Sequence, residues 1–170
     1  MFGFVGKKHV GKDTACDYFV SKYGFEKHSF AHPLKICAQY LFNFSDNQLH
    51  TENKDEIDSK WNIKPRTVFQ QFGSLVKSLA GDDYFLKRME LNFDTCKSIV
   101  ISDVRFQNEI DYIKSKGGII VKIERPELTN IDLHESETSV DSVTGIDFHV
   151  INRGGLEDFY AKLDTLVLNI

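Results

Sequence analysis

Short apolar runs along this chain alternate with longer stretches in which apolar positions recur every three to four residues. The runs Met1–Val5, Phe25–Phe30, Ser98–Asp103, Ile119–Glu124 and Asp147–Ile151 predict strands, the fully apolar ones reading as strands buried on both faces. The periodic stretches predict helices at about 13–22, from His32-Pro33 through Phe44, and over Pro65–Leu79, Asp82–Phe93, Phe106–Lys116 and Leu156–Leu168. Punctuation agrees with that reading: Pro33 and Pro65 fall in first turns, and Gly117-Gly118 closes a helix. Two polar stretches interrupt the pattern. Residues 45–64 read as a partly helical insertion that can cover a site, and Arg125-Pro126 opens a polar stretch to about Gly145. Strands alternating with helices predict an α/β fold of three layers, a parallel sheet with helices on both faces and ligands at the C-terminal strand ends.

The first strand runs directly into Gly6-Lys7-Lys8-His9-Val10-Gly11-Lys12-Asp13-Thr14, the G-x-x-x-x-G-K spacing of a phosphate-binding loop, or P-loop. Two glycines let backbone N–H groups turn inward around a phosphate, the lysine reaches its outer oxygens, and the following helix adds the positive end of its dipole. Gly6, Val10, Gly11, Lys12, Asp13 and Thr14 are therefore candidate nucleotide ligands. Lys12 is expected to face solvent in the free protein. Asp13 stands where a Ser or Thr hydroxyl ordinarily ligates Mg²⁺; it is either a metal ligand itself or an acid placed in a first helical turn for the dipole.

Composition narrows the class. With 170 residues and 41% hydrophobic content, one domain with a substantial core is expected. No charged leader and no run of ~18 apolar residues is present, which predicts a soluble, cytoplasmic protein without membrane attachment. Cys16, Cys37 and Cys96 fit neither a disulfide framework nor a metal-ligand spacing, and Cys16 and Cys37 read as core residues. A net charge of −4 argues against a nucleic-acid polymer as partner. Positive charge must then be local, and Arg66, Arg88, Arg105, Arg125 and Arg153 mostly flank the element boundaries where ligand loops lie.

Three further constellations carry candidate chemistry. Arg66, Gln70 and Gly73 share a helical face at i, i+4 and i+7; Gly73 costs helix stability and suggests close approach of a ligand or backbone, although a solvated Arg beside Gln has the same spacing. Asp103-x-Arg105-x-x-x-Glu109 places an acid, a cation and a second acid at a strand end, where Asp103 can hold Mg²⁺ or serve instead as a helix cap. His134-Glu135-Ser136-Glu137 reads as structural or gating, because phosphoryl transfer needs positioning more than a dedicated base. Asn152, in a turn after the last strand, offers amide groups to an adenine or simply makes the turn.

Gly6–Thr14 with its Gly-Lys-Asp-Thr ending, Arg66 to Gly73, the run Ser102–Glu109, His134-x-Ser136-Glu137 and Val150-Ile151-Asn152-x-Gly154 together resemble the phage and large-virus deoxynucleoside monophosphate kinases, relatives of adenylate kinase. The resemblance implies an adenylate kinase-like P-loop fold, ATP with Mg²⁺ on the loop, and a nucleoside 5′-monophosphate, a dNMP, as acceptor. It implies Lys12, Arg66 and Arg105 as catalytic residues. Lys8, Arg66, Gln70, Gly73, Phe85, Asp103, Arg105 and Glu109 would line the acceptor side, Phe85 against the base; Arg125 and Asn152 would lie on the ATP side, with Asp13 and Asp103 toward the metal. The lid-like segment that the resemblance implies, residues 126–146, contains no Lys or Arg, so charge neutralisation falls to Lys8, Lys12, Arg66, Arg105 and Arg125. A monomer or homodimer is compatible with the pattern. Rival readings are a P-loop kinase for a non-nucleotide acceptor, phosphomevalonate kinase-like, and a nucleotide-binding switch without turnover.

Overall fold

A computed structural model describes residues 1–91, 97–128 and 134–168. Cys96 and the end of the helix expected over Asp82–Phe93 lie outside the described residues. The chain divides into two compact units, Met1–Ser29 with Phe93–Ile170, and Phe30–Asn92. The second reaches well beyond the insertion expected at 45–64.

The first unit is built on a five-stranded, wholly parallel sheet ordered β2-β3-β1-β4-β5, from strands β1 (Phe2–Val5), β2 (Glu26–His28), β3 (Ile99–Val104), β4 (Ile119–Glu124) and β5 (Phe148–Ile151). Its helices are α1 (Lys12–Tyr23), α6 (Gln107–Ser115), the single turn α7 (Glu135–Thr138) and α8 (Leu156–Leu168). Strand alternation divides the core. Phe2 and Phe4 point to one face, where Phe19 of α1 meets both rings edge-on at 4.9 and 5.5 Å and Phe159 and Leu163 of α8 complete the layer. Gly3 points to the other, where a Cβ would lie 2.7 Å from Ile113 of α6. The missing side chain thus lets α6 seat directly on the central strand.

Edge strand β2 is shorter than the Phe25–Phe30 expectation because it pairs only with β3, from Glu26 opposite Ile99 to His28 opposite Ile101. Between β1 and β3 the register slips: Gly3 faces Ile101 but Val5 faces Val104. Three residues of β3 therefore span two of β1, a bulge at Ser102-Asp103 that re-aims the side chain of Asp103.

The second unit is helical: α2 (His32–Phe42), α3 (Asp46–His50), a 3₁₀ turn (Glu52–Asp55), α4 (Pro65–Ala80) and α5 (Tyr84–Glu90). Ala38, Phe44, Leu49 and Val68 form its centre, with Phe42, Ile63, Phe69 and Phe72 packed against them. Helix α2 stops two residues before the expected end because Asn43 takes a left-handed conformation (φ 54°). Residues 45–64 are partly helical, as expected: Ser45 and Gln48 form a reciprocal capping box for α3. Cys16 is buried, but Cys37 is exposed on α2, contrary to the core reading of both. Among the described residues no helix is long and apolar enough to cross a membrane.

Candidate active site

The loop between β1 and α1 has backbone angles that its sequence demands. Gly6 (φ 152°) and Gly11 (φ 110°) occupy the region that favours glycine, and His9 joins them at φ 64°. At Gly6 a Cβ would sit 2.4 Å from the Ile123 carbonyl oxygen, so no other residue fits. Gly11 makes room for Asn152, whose Nδ2 donates to the Val10 carbonyl at 2.8 Å. Asn152 therefore braces the loop through that N–H.

Lys12 begins α1 and is 7% exposed, not solvent-facing. Its Nζ donates to the carbonyls of Gly6 and Lys7, both at 2.6 Å, folding the side chain back across the loop. Burial, with the nearby Arg105 cation second, pulls its pKa down to about 7; Glu137, Asp13 and Asp103 act against that shift. Asp13, 68% exposed, is ion-paired with Lys27 at 2.9 Å, and Lys27 also reaches Asp17 at the same distance. Its carboxylate thus has both a dipole and a cation partner. Thr14 follows, half-buried, in the same turn.

Past the bulge, Asp103 accepts from the Ser29 hydroxyl at 2.7 Å. The Arg105 backbone N–H donates to Glu109 Oε2 at 2.7 Å, and Phe106 N–H to the same oxygen at 3.1 Å. Glu109, 5% exposed, therefore ties down the start of α6 rather than presenting that oxygen to substrate. The Arg105 side chain turns elsewhere: its Nη1 donates to Glu137 Oε1 at 2.6 Å and to the Ser136 carbonyl at 3.2 Å. Glu137 Oε2 in turn accepts the Lys8 N–H at 2.9 Å, and Lys7 Nζ lies 2.8 Å from Asp141. Residues 136–141 are thus anchored to the loop and to Arg105. Arg125, just past β4, is exposed.

Arg66, Gln70, Gly73 and Phe85 belong to the second unit, whereas Lys8, Asp103, Arg105 and Glu109 belong to the first. On α4, Arg66 Nε and Nη2 engage Asp55 Oδ1 and Oδ2, so a carboxylate already fills its planar fork. Gln70 is half-buried. A Cβ at Gly73 would meet only Leu34 Cδ1 at 3.5 Å, an ordinary contact, so no protein backbone requires glycine there. Phe85 is 7% exposed and packs edge-on against Tyr84 at 5.1 Å. Lys27, Ser29 and Asp141 were not singled out by the sequence, because only the fold brings them to the loop and strand ends.

The chemical inventory fits a polyphosphate. The glycine-shaped loop, the α1 N-terminus and a buried lysine suit donor oxygens, and Asp103 supplies a hard oxygen at a strand end. Mg²⁺ bound through one or two carboxylates plus substrate phosphates needs no larger cage; among the described residues no group of three or more His, Cys, Asp or Glu side chains assembles one.

Comparisons with known proteins agree. The sequence profile of the family Deoxynucleotide monophosphate kinase matches residues 38–163. A protein of Acanthamoeba polyphaga mimivirus named for deoxynucleotide monophosphate kinase is 35% identical over 99% of this chain and 96% of its own. The deoxynucleotide monophosphate kinase of Escherichia phage RB69 is 26% identical over 66% of this chain and 48% of its own. Among solved structures, dephospho-CoA kinase from Campylobacter jejuni (TM-score 0.50, 20% identity, 99% of this chain and 95% of that one) shares the fold. Shikimate kinase from Acinetobacter baumannii does so too (TM-score 0.51, 13% identity, 99% and 92%). From its phosphate loop, its parallel sheet and these matches, the chain belongs to the deoxynucleotide monophosphate kinase family.

Proposed function

We propose that the protein transfers the γ-phosphoryl of ATP to a deoxynucleoside 5′-monophosphate, giving a dNDP and ADP. The observation that carries this reading is the phosphate loop folded around a buried Lys12, with Arg105 tied to the same loop through Glu137, in a chain of this family. Loop amides between Gly6 and Thr14 other than that of Lys8, which Glu137 holds, bind the donor phosphates with the α1 N-terminus, and Arg125 lies on the donor side. Lys12 must leave the Gly6 and Lys7 carbonyls to stabilise charge on the transferred group, and an approaching phosphate restores the proton that burial disfavours. Mg²⁺ would neutralise charge on the donor phosphates, and Asp103 and, by exchanging its Lys27 contact, Asp13 would hold it.

On the acceptor side, Arg105 and Lys8 take the monophosphate; within the second unit, Arg66 with Gln70 can bind phosphate once Asp55 releases its guanidinium. No covalent intermediate is required, because positioning and electrostatics supply the catalysis. A coupled ADP-release assay across the common dNMPs, the NMPs and phosphorylated non-nucleotide acceptors tests the reading. The expected outcome is ADP release stimulated by at least one dNMP. Stimulation only by a non-nucleotide acceptor, or tight nucleotide binding with no acceptor-dependent turnover, overturns it.

A further inference from the structure

Glu137 is a buried carboxylate that the transfer chemistry does not use, and both of its oxygens are engaged. It is 4% exposed, with Oε1 on Arg105 Nη1 at 2.6 Å and Oε2 on the Lys8 N–H at 2.9 Å. Arg105 is held by that one nitrogen, which also donates to the Ser136 carbonyl, while the Ser139 hydroxyl donates to the Arg105 carbonyl at 2.8 Å. Bidentate recognition of a phosphate needs two parallel N–H groups from one edge of a guanidinium. Among the described residues the Nε/Nη2 edge of Arg105 makes no hydrogen bond, so the grip on Nη1 orients the side chain without using that fork.

We propose that Glu137 is a positioning residue, which fixes the Arg105 guanidinium against the phosphate loop and aims its open edge at the acceptor phosphate. The proposal rests on the acceptor reading of Arg105. An ionised carboxylate is required because both partners are donors: a glutamine would turn its own NH₂ toward either Arg105 or the Lys8 N–H, and one link would be lost. The charge also compensates a guanidinium withdrawn from water. Residues 134–141 thus contribute through an anion, although the same stretch lacks any cation of its own.

A double-mutant cycle separates this role from a merely structural one. Steady-state constants for ATP and the best dNMP are measured in wild type, Glu137→Gln, Arg105→Ala and the double variant, with melting curves for each. Glu137→Gln is expected to raise KM for the dNMP and lower kcat/KM by ~10- to 100-fold through misplacement of the fork, leaving KM for ATP within about three-fold. In the Arg105→Ala background the same change should raise KM for the dNMP far less than it does in wild type, any remainder coming from the Lys8 link. A full additive loss in that background overturns the inference while the acceptor reading stands. A lower KM for dNMP in Glu137→Gln also overturns it, since the carboxylate would then be a stand-in that phosphate displaces. If Arg105→Ala itself leaves dNMP kinetics unchanged, the acceptor reading falls and takes this inference with it. Should Glu137→Gln fail to fold, Glu137→Asp keeps the charge but shortens the reach; it is expected to show a partial loss that Arg105→Ala likewise diminishes, and an additive loss overturns the inference.

Discussion

Burial of the Lys12 ammonium makes charge at the phosphate loop depend on pH. Its pKa of about 7 lies below the ordinary 10.5, so between those values the unfolded chain binds more protons and stability rises with pH. Lys12→Met should therefore melt higher than wild type below pH 7, with the gap narrowing toward pH 10, while turnover is lost; equal melting curves across that range contradict the burial argument. If Lys12 meets the donor phosphates as proposed, binding recharges it, so ATP affinity should fall as pH rises above 7. Calorimetry in buffers of different ionisation heat should then show proton uptake at pH 8. For Arg105, lysine cannot reproduce a planar fork, and Arg105→Lys should lower kcat/KM for dNMP by roughly 10- to 1000-fold. Titrations with a nonhydrolysable ATP analogue and with dNMP check the assignment: lost donor affinity with unchanged acceptor affinity would exchange the two phosphate sites.

At the scale of elements, helices α1 and α8 meet through one carboxylate. Asp164 accepts from the Tyr18 and Tyr23 hydroxyls and from Lys22, all at 2.7 Å, while the Tyr18 and Tyr160 rings stack at 4.0 Å. Lys22 and the two hydroxyls hold Asp164 at about 2, below the usual 3.8, so its contribution is present above about pH 4 and lost as pH falls toward 2. Asp164→Asn should melt lower at pH 7, and its difference from wild type should close between pH 4 and 2; a difference that persists at pH 2 assigns the effect to packing. Gly6→Ala pushes a Cβ into the Ile123 carbonyl and should cost on the order of 1–3 kcal/mol by denaturant titration. The elements themselves were legible because apolar runs and helical periodicity are local signals, as were Gly6, Gly11 and Lys12 at fixed spacing. The bulge at Ser102-Asp103 was not, because register depends on the partner strand. Nor was the Asn152 brace or the Glu137 grip on Arg105, in which polar residues far apart in sequence meet only after folding. Cys37 shows the same limit: residue type suggested a core position, and its place on α2 leaves it exposed.

For the whole molecule, the family reading joins a donor loop with a phosphorylated acceptor, and both of its halves can be followed in one reaction. Protein mixed with ATP labelled in the γ-phosphoryl, Mg²⁺ and a dNMP should move label into dNDP. Lys12→Met should not do so, and Arg105→Lys should do so slowly at subsaturating dNMP. Label appearing only in inorganic phosphate, or no transfer to any dNMP from intact, folded protein, contradicts the account.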